Sequence, residues 1–267
     1  KDVVDTGMDV DKTFSSVQAV LGKSEGTAEN MAKLMGFAQD VAADSIFTLE
    51  ETGQAYYYMG MAGWKTEQML AGLPGVISLA AASGEDLGQV SDIVTDSLTA
   101  FGLGAGQAQH FADVLAVTAT NTNTDVTRMG KTFQYLAPVA GALGYSIEDI
   151  AVSVGLVANA GIKGSMAGTS LRNIFTRIAT NAGATKDKLG AMEVVVDELG
   201  VSFYDSTGKA RPWLEVVSEA RTAWKKLDPG KADKVAKAFG DISMEGQDAS
   251  QVMEDFATDL DVWTTEW

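Results

Sequence analysis

Apolar residues recur at intervals of three and four positions over most of this chain. One such set lies between Thr27 and Asp44 and consists of Met31, Leu34, Met35, Ala38 and Val41. A second set, between residues 85 and 101, consists of Leu87, Val90, Val94, Leu98 and Phe101. This spacing places each set on one face of a helix. The pattern predicts a mainly α protein, a multi-helix bundle of about ten helices.

Glycines and N-cap residues mark the expected helix ends, because the chain has 28 Gly but only four Pro. Thr48 with Glu51, and Ser146 with Asp149, have the spacing of a capping box, in which two side chains satisfy free amides of the first helical turn. We therefore predict helices that begin near residues 48 and 146. Pro74 predicts either a kink or a new helix in the segment that opens near residue 66.

Residues 201–211 have a different pattern, which predicts one small β-hairpin. Val201–Tyr204 and Lys209–Pro212 flank the turn sequence Asp205-Ser-Thr-Gly208. Asp and Gly at the two ends of a four-residue turn fit its geometry. Pro212 then suits the first turn of a following helix.

The predicted organisation is a helical core domain over residues 1–227, hairpin included, and a C-terminal helical extension over residues 228–267. The boundary rests on the break at Asp228-Pro229-Gly230, after which the helices are more charged. The chain starts at Lys1 and shows no signal peptide, so we expect a fragment of a longer protein. A weak internal repeat aligns residues 53–63 with residues 130–140 and suggests two related helical units.

The composition fits a chain that buries a core, with 46% hydrophobic and 21% charged residues. The net charge is −16, and Lys and Arg are scattered along the chain. Nucleic-acid binding faces gather basic residues, so we expect no direct nucleic-acid binding. The absence of Cys excludes disulfides and thiolate metal sites.

No arrangement of residues predicts catalysis, a cofactor or a metal. His110 is the only His, so no histidine-based triad or zinc motif can be assembled. Gly130-Lys-Thr132 resembles the end of a phosphate-binding loop, but Asp125 stands where that loop needs Gly. Asn121-x-Asn123-x-Asp125 lacks the Gly and Glu that a calcium loop requires later. We predict a protein that is not an enzyme.

Two uncharged segments, residues 133–147 and 150–162, leave two interpretations open. Each is shorter than the roughly 20 apolar residues of a membrane-spanning helix. They predict either a buried helical hairpin in a soluble core or a hairpin that inserts into a bilayer. Small residues here allow close helix approach. The candidate packing or membrane residues are Ala137, Gly141, Gly144, Val154, Gly155, Val157 and Gly161.

The run Tyr56-Tyr57-Tyr58 points in three directions from one helix, so at least one ring must face away from the local core. Tyrosine is common at protein interfaces. We therefore predict a candidate interface at Tyr56, Tyr57 and Trp64.

Several phrases together resemble the core region of the phage tail tape-measure proteins of the TP901 type. The most specific are Met61-Ala-Gly-Trp64, Leu73-Pro-Gly75, Ala80-Ala-Ala-Ser-Gly-Glu-Asp86, Asn123-Thr-Asp125 and Asn159-Ala-Gly-Ile-Lys-Gly164. The resemblance covers roughly residues 14–213 and fades beyond residue 227.

This resemblance implies a structural module of a phage or prophage tail tape-measure protein. Its expected roles are tail assembly, tail-length determination and DNA delivery across the host envelope. Its expected partners are itself, as a homo-oligomer such as a trimer, the tail tube, tail-tip or baseplate proteins, tail assembly chaperones and the host membrane. It would lie in the tail lumen or tip of the virion, in the host cytoplasm during assembly and at the host membrane on ejection. The alternatives are a membrane-active channel-forming segment for genome ejection and a cell-wall hydrolase.

Overall fold

A computed structural model describes residues 2–180 and 191–243, and helices dominate them. These residues form twelve α-helices, with a short 3-10 turn at Ala105–Gln107. In chain order they are α1 (Asp2–Glu25), α2 (Ala28–Asp44), α3 (Leu49–Met61), α4 (Thr66–Ser83), α5 (Leu87–Ala100), α6 (Ala108–Asn121), α7 (Val126–Leu143), α8 (Ile147–Asn159), α9 (Gly164–Thr180), α10 (Ala191–Leu199), α11 (Trp213–Trp224) and α12 (Pro229–Ser243). The prediction of a mainly α bundle is confirmed.

The predicted β-hairpin near residues 201–211 is wrong, because the two strands do not form. Tyr204 and Ala210 make a single antiparallel bridge. The Asp205 carboxylate turns inward and accepts hydrogen bonds from the N–H groups of Thr207 at 2.8 Å and Lys209 at 3.0 Å. Such side-chain bonds compete with a strand ladder for backbone donors. The predicted turn is therefore present, but the strands on either side are not.

Both predicted capping boxes are formed. The Thr48 N–H donates to the Glu51 carboxylate at 2.7 Å, and the Glu51 N–H donates to the Thr48 hydroxyl at 3.2 Å. Ser146 and Asp149 make the same pair of bonds at 3.0 and 3.1 Å. In contrast, α4 continues through Pro74 as one element, so the idea that a new helix begins there is wrong.

The chain divides into two compact units. The first comprises the residues up to Val117 together with Asp125–Gly130. In it, α3 packs most extensively against α1 and α5, and α2 and α4 also contact α3. Its largest fully buried side chains include Leu34, Tyr56, Met59, Met69 and Leu73.

The second unit comprises Thr118–Thr124 and the residues from Lys131 onward. In it, α9 contacts α8 and α12, and α10 contacts α11 and α12. Phe133 and Phe175 are among its fully buried side chains. The helix α12, which belongs to the predicted C-terminal extension, thus packs within this unit. The remainder of that extension, residues 244–267, lies outside the described residues.

Candidate functional site

The connection from α3 to α4 is built on a left-handed glycine followed by a buried aromatic residue. Gly63 has a φ of +81°, which a side chain would strain. Its N–H donates to the Gly60 carbonyl at 3.0 Å, and the Trp64 N–H donates to the Met59 carbonyl at 3.0 Å. These two bonds are the Schellman pattern, which satisfies carbonyls left free at a helix end. We call this segment the first junction.

The connection from α7 to α8, in the second unit, repeats these bonds. Gly144 has a φ of +77° and donates to the Gly141 carbonyl at 3.0 Å. The Tyr145 N–H donates to the Ala140 carbonyl at 3.1 Å. We call this segment the second junction, and its Gly144 corresponds to Gly63 of the first junction. The same pair of bonds also ends α5 at Gly102–Leu103 and α8 at Gly161–Ile162, so it does not test the weak repeat, which stays a prediction.

The buried aromatic ring of the first junction packs on a glycine. Trp64 is only 7% exposed. A Cβ atom added to Gly72 would lie 2.4 Å from Cζ3 of this indole. The ring therefore occupies the space that a side chain at position 72 would need.

The ring of the second junction belongs to an aromatic cluster. The Tyr145 centroid lies 5.1 Å from that of Phe175 and 5.9 Å from that of Trp213. Phe175 and Trp213 meet edge to face at 4.8 Å, a favoured aromatic geometry. The Trp213 indole N–H donates to the Ser153 hydroxyl, so the one polar atom of that ring is satisfied.

Carboxylates in this chain serve repeatedly as helix caps. Asp149 closes the first turn of α8 and also accepts a bond from the Leu214 N–H at 3.2 Å, at the start of α11. In the first unit, Glu25 accepts from the Thr66 N–H at 3.3 Å, at the start of α4. Negative charge is favourable at these positive helix ends. Helix capping therefore accounts for these two acidic groups without a catalytic role.

The candidate packing or membrane residues take two structural roles. Ala137, Val154 and Gly155 are buried in the second unit, while Gly141 and Val157 are half-buried. The remaining two, Gly144 and Gly161, are exposed, and both have positive φ angles just beyond a helix. In the described part of the chain, no helix combines the length and apolar character needed to cross a membrane.

The candidate interface changes when side-chain burial is considered. Tyr56 is fully buried and Trp64 nearly so, since both rings fill the interior of the first unit. Only Tyr57 of the three is partly accessible. Tyr56 and Trp64 are thus withdrawn as surface residues of this chain, and an interface at Tyr57 stays a prediction. The Tyr56 hydroxyl is buried without a hydrogen-bond partner, and burial raises the pKa of this phenol.

The short motifs have structural explanations. Gly130-Lys-Thr132 lies inside α7, and the Thr132 hydroxyl donates to the Gly164 carbonyl at 3.0 Å. A helix interior has no free amides with which to cradle a phosphate. Among the residues that the structure describes, no group of three or more His, Cys, Asp or Glu is placed to hold a metal ion.

A surface hollow of about 450 Å³ lies beside the second junction, and its lining includes Asp149, Asp205 and Arg211. Arg211 forms a two-bond pair with Glu219 at 2.8 and 2.6 Å, which raises the pKa of the guanidinium and lowers that of the carboxyl. Hydrogen bonds from Thr207 and from the Lys209 backbone lower the pKa of Asp205. These charged groups are already engaged within the chain.

Comparison with known proteins identifies the family. The family model described as "phage-related minor tail protein" matches residues 36–240. The chain belongs to this family. The tape measure protein of Pneumococcus phage Dp-1 is 37% identical over 244 residues, which are 91% of this chain and 20% of that protein. A probable tape measure protein of Escherichia phage P2 is 29% identical over 239 residues, 90% of this chain and 28% of that protein.

The chain is therefore a structural module of a phage tail protein. The chain spans 20% of the length of the first relative and 28% of the length of the second. No solved structure matches it. Neither the family nor the relatives support the channel-forming or cell-wall hydrolase alternatives, and the TP901 subtype stays a prediction.

Sequence reasoning missed Phe175 and Trp213, which contact Tyr145, and Ser153, which pairs with Trp213. One local signal was available, since Trp213 directly follows Pro212, the N-cap residue of α11. Its contact with Ser153, sixty residues away, has no local signature.

Proposed function

We propose that this chain is a folded module of a tape-measure protein, which as a whole acts in tail assembly, in tail-length determination and in DNA delivery across the host envelope. The observation that carries the proposal is the alignment of 91% of this chain with only 20% of the Dp-1 tape measure protein. An alignment of that kind is expected when a short folded region is carried by a much longer protein.

The short helices support a module role over that of the ruler itself. The longest described helix, α1, has 24 residues and is interrupted by the non-helical Gly22. At about 1.5 Å per residue, even an unbroken helix of that length spans roughly 36 Å. The other helices are shorter and end at caps or glycines, so the chain folds into compact units. We propose that the module docks or folds at one end of the tail while other parts of the parent protein measure its length.

The proposed partners follow from that place in the virion. They are further copies of the same chain, as a homo-oligomer such as a trimer, the tail tube, tail-tip or baseplate proteins, and tail assembly chaperones. The proposed location is the tail lumen or tip. The net charge of −16 supports a module that does not bind DNA, because like charges repel the phosphates.

A deletion in the parent phage tests this function. Removing the codons for the module in frame should reduce the number of assembled tails seen by negative-stain electron microscopy. A second phage carries the module in tandem duplicate and serves as the length control. Normal numbers of tails after the deletion would contradict an assembly role. The duplication should leave tail length unchanged, and tails that lengthen with it would contradict the proposal that other parts of the parent protein measure length.

We further propose that the module is not an enzyme and needs no cofactor. The support is that both relatives bear the names of structural tail proteins. The purified chain should release no soluble muropeptides from peptidoglycan in a chromatographic assay with lysozyme as the positive control. Release that persists after repurification, and that disappears on replacing one acidic residue, would contradict this proposal.

A further inference from the structure

The first unit carries a small surface hollow beside the tyrosine run of α3. Its volume is about 190 Å³, and it is lined by Thr13, Ser16, Gln54, Tyr57 and Tyr58. Sites for small-molecule ligands have volumes of about 300–1,000 Å³. The hollow is below that range, which favours a single inserted side chain over a free metabolite. We call it the tyrosine hollow.

The two rings of the tyrosine hollow are held at a steep angle to each other. The Tyr57 and Tyr58 centroids lie 5.9 Å apart with an interplanar angle of 74°. Both side chains are half-buried, so part of each ring remains accessible. Neither phenol hydroxyl makes a hydrogen bond within the described part of the chain. The hollow is therefore lined by two partly accessible tyrosine rings whose hydroxyls are not engaged within the described part of the chain.

Two carboxylates lie near residues that line the tyrosine hollow. The Gln54 amide lies 3.4 Å from the Glu50 carboxylate, one helical turn away on α3. Gly88 of α5 is surrounded at 3.2–3.4 Å from its Cβ position by atoms of Asp86, Tyr58 and Gln54. Asp86 is fixed there because it accepts the Gln89 N–H at 2.8 Å as the cap of α5.

Lys12 directly precedes the lining residue Thr13, but the sequence of the first unit as a whole is acidic, with 17 Asp or Glu and six Lys or Arg. Between Lys33 and Arg128 the chain contains one basic residue, Lys65, and eleven Asp or Glu. Apart from residues 118–124, which carry no basic or acidic side chain, this stretch belongs to the first unit. The unit therefore complements a partner surface that is positively charged.

We propose that the tyrosine hollow receives an arginine side chain from a partner protein. A cation over the face of a tyrosine ring is attracted by the ring quadrupole. Arginine fits better than lysine, because its planar guanidinium stacks on aromatic rings, is weakly hydrated and presents several donors to carboxylate and hydroxyl oxygens. The inference rests on this geometry and charge, and it does not depend on the role of the chain in the tail.

Nuclear magnetic resonance on the whole chain with labelled tyrosine rings tests this inference. The chain has six tyrosines, and each signal can be assigned from the corresponding Tyr→Phe variant. The probe is acetyl-Gly-Arg-Gly-amide, and the matched control replaces arginine by citrulline, which keeps the shape but carries no charge. We expect the arginine peptide to shift the Tyr57 and Tyr58 signals selectively.

Substitutions at Tyr57 separate ring recognition from general attraction to an acidic surface. Tyr57→Leu should weaken binding of the arginine peptide about two- to fivefold, while Tyr57→Phe, which keeps the ring, should retain it. Tyr135→Leu, at an exposed tyrosine of the second unit, is the matched control and should leave binding unchanged. Equal shifts from the citrulline peptide, equal shifts at all six tyrosines, or unchanged binding by Tyr57→Leu would each overturn the proposal.

Discussion

The two glycine–aromatic junctions have the same backbone bonds but different neighbours. Gly63 and Gly144 end their helices with the same pair of hydrogen bonds. Trp64 packs against Gly72 of the next helix. Tyr145 instead contacts Phe175 and Trp213, which come from distant parts of the chain. The comparison teaches that the helix end is encoded locally, while the contact that anchors it is supplied separately within each unit.

The largest expected effect comes from removing an indole ring at either junction. Trp64→Ala and Trp213→Ala should each lower the free energy of unfolding by about 3–5 kcal/mol, because both rings are almost fully buried. Urea denaturation followed by circular dichroism measures the change. A loss below about 1 kcal/mol at either position would mean that the ring does not anchor its junction.

Gly72 and Ser153 lie eight positions after Trp64 and Tyr145, and replacing each by alanine tests the two junctions separately. Gly72→Ala should cost about 1–3 kcal/mol, because its Cβ would overlap the Trp64 ring. Ser153→Ala should cost a similar amount, about 1–3 kcal/mol, for a different reason, since it leaves the buried Trp213 N–H unpaired. Urea denaturation midpoints of the two variants measure both losses of stability.

A glycine in open space provides the control for that pair. Gly36 lies within α2, and an added Cβ would meet nothing within 4 Å. Gly36→Ala should therefore stabilise the chain by about 0.5–1 kcal/mol. Destabilisation by Gly36→Ala would show that glycine replacement is harmful in general, and the argument from the Trp64 contact would fail.

The left-handed glycines should behave alike in the two units. Gly63→Ala and Gly144→Ala should each cost about 1–2 kcal/mol, because an L-residue is strained at φ values near +80°. No neighbouring atom lies within 4 Å of either added Cβ, so backbone strain is the whole effect. Costs that differ between the two positions by more than about 1 kcal/mol would contradict the equivalence of the junctions.

The smallest expected effect is in the pH dependence of two buried tyrosines, one in each unit. Burial raises the pKa of Tyr56 and of Tyr145 above the ordinary value of 10.0. The unfolded chain therefore releases these protons first, and stability should fall as the pH rises above 10. Tyr56→Phe should make this fall shallower, and at neutral pH it should leave stability unchanged or slightly higher, because it removes an unpaired buried hydroxyl. Urea midpoints between pH 9 and 11 measure both effects.

Local features of the fold could be predicted from the sequence, and long-range ones could not. The spacing of Thr48 and Glu51 identified a real capping box, because its two bonds lie within one turn. The strands flanking Asp205 were predicted and are absent, because that side chain takes a backbone donor that a ladder would need. Competition of this kind is visible only when the turn geometry is known.

The tyrosine run of α3 also shows that local features could be predicted from the sequence while long-range contacts could not. Three adjacent tyrosines ensured that at least one faced outward, but the sequence could not say which one. Contacts of α3 with α1 and α5 decide this, and they bury Tyr56 while leaving Tyr57 and Tyr58 accessible. The contact between Ser153 and Trp213 depends in the same way on helices far apart in sequence.

The central claim is that this chain serves the tail as a folded module, and one measurement tests it most directly. Gly72→Leu and the control Gly36→Ala are introduced into the parent phage, and tails are counted and measured by electron microscopy. We predict that Gly72→Leu sharply lowers the number of complete tails, because it displaces Trp64, while Gly36→Ala leaves tail number and length unchanged. Normal tails from a Gly72→Leu phage, whose purified chain is shown to be unfolded, would contradict the claim.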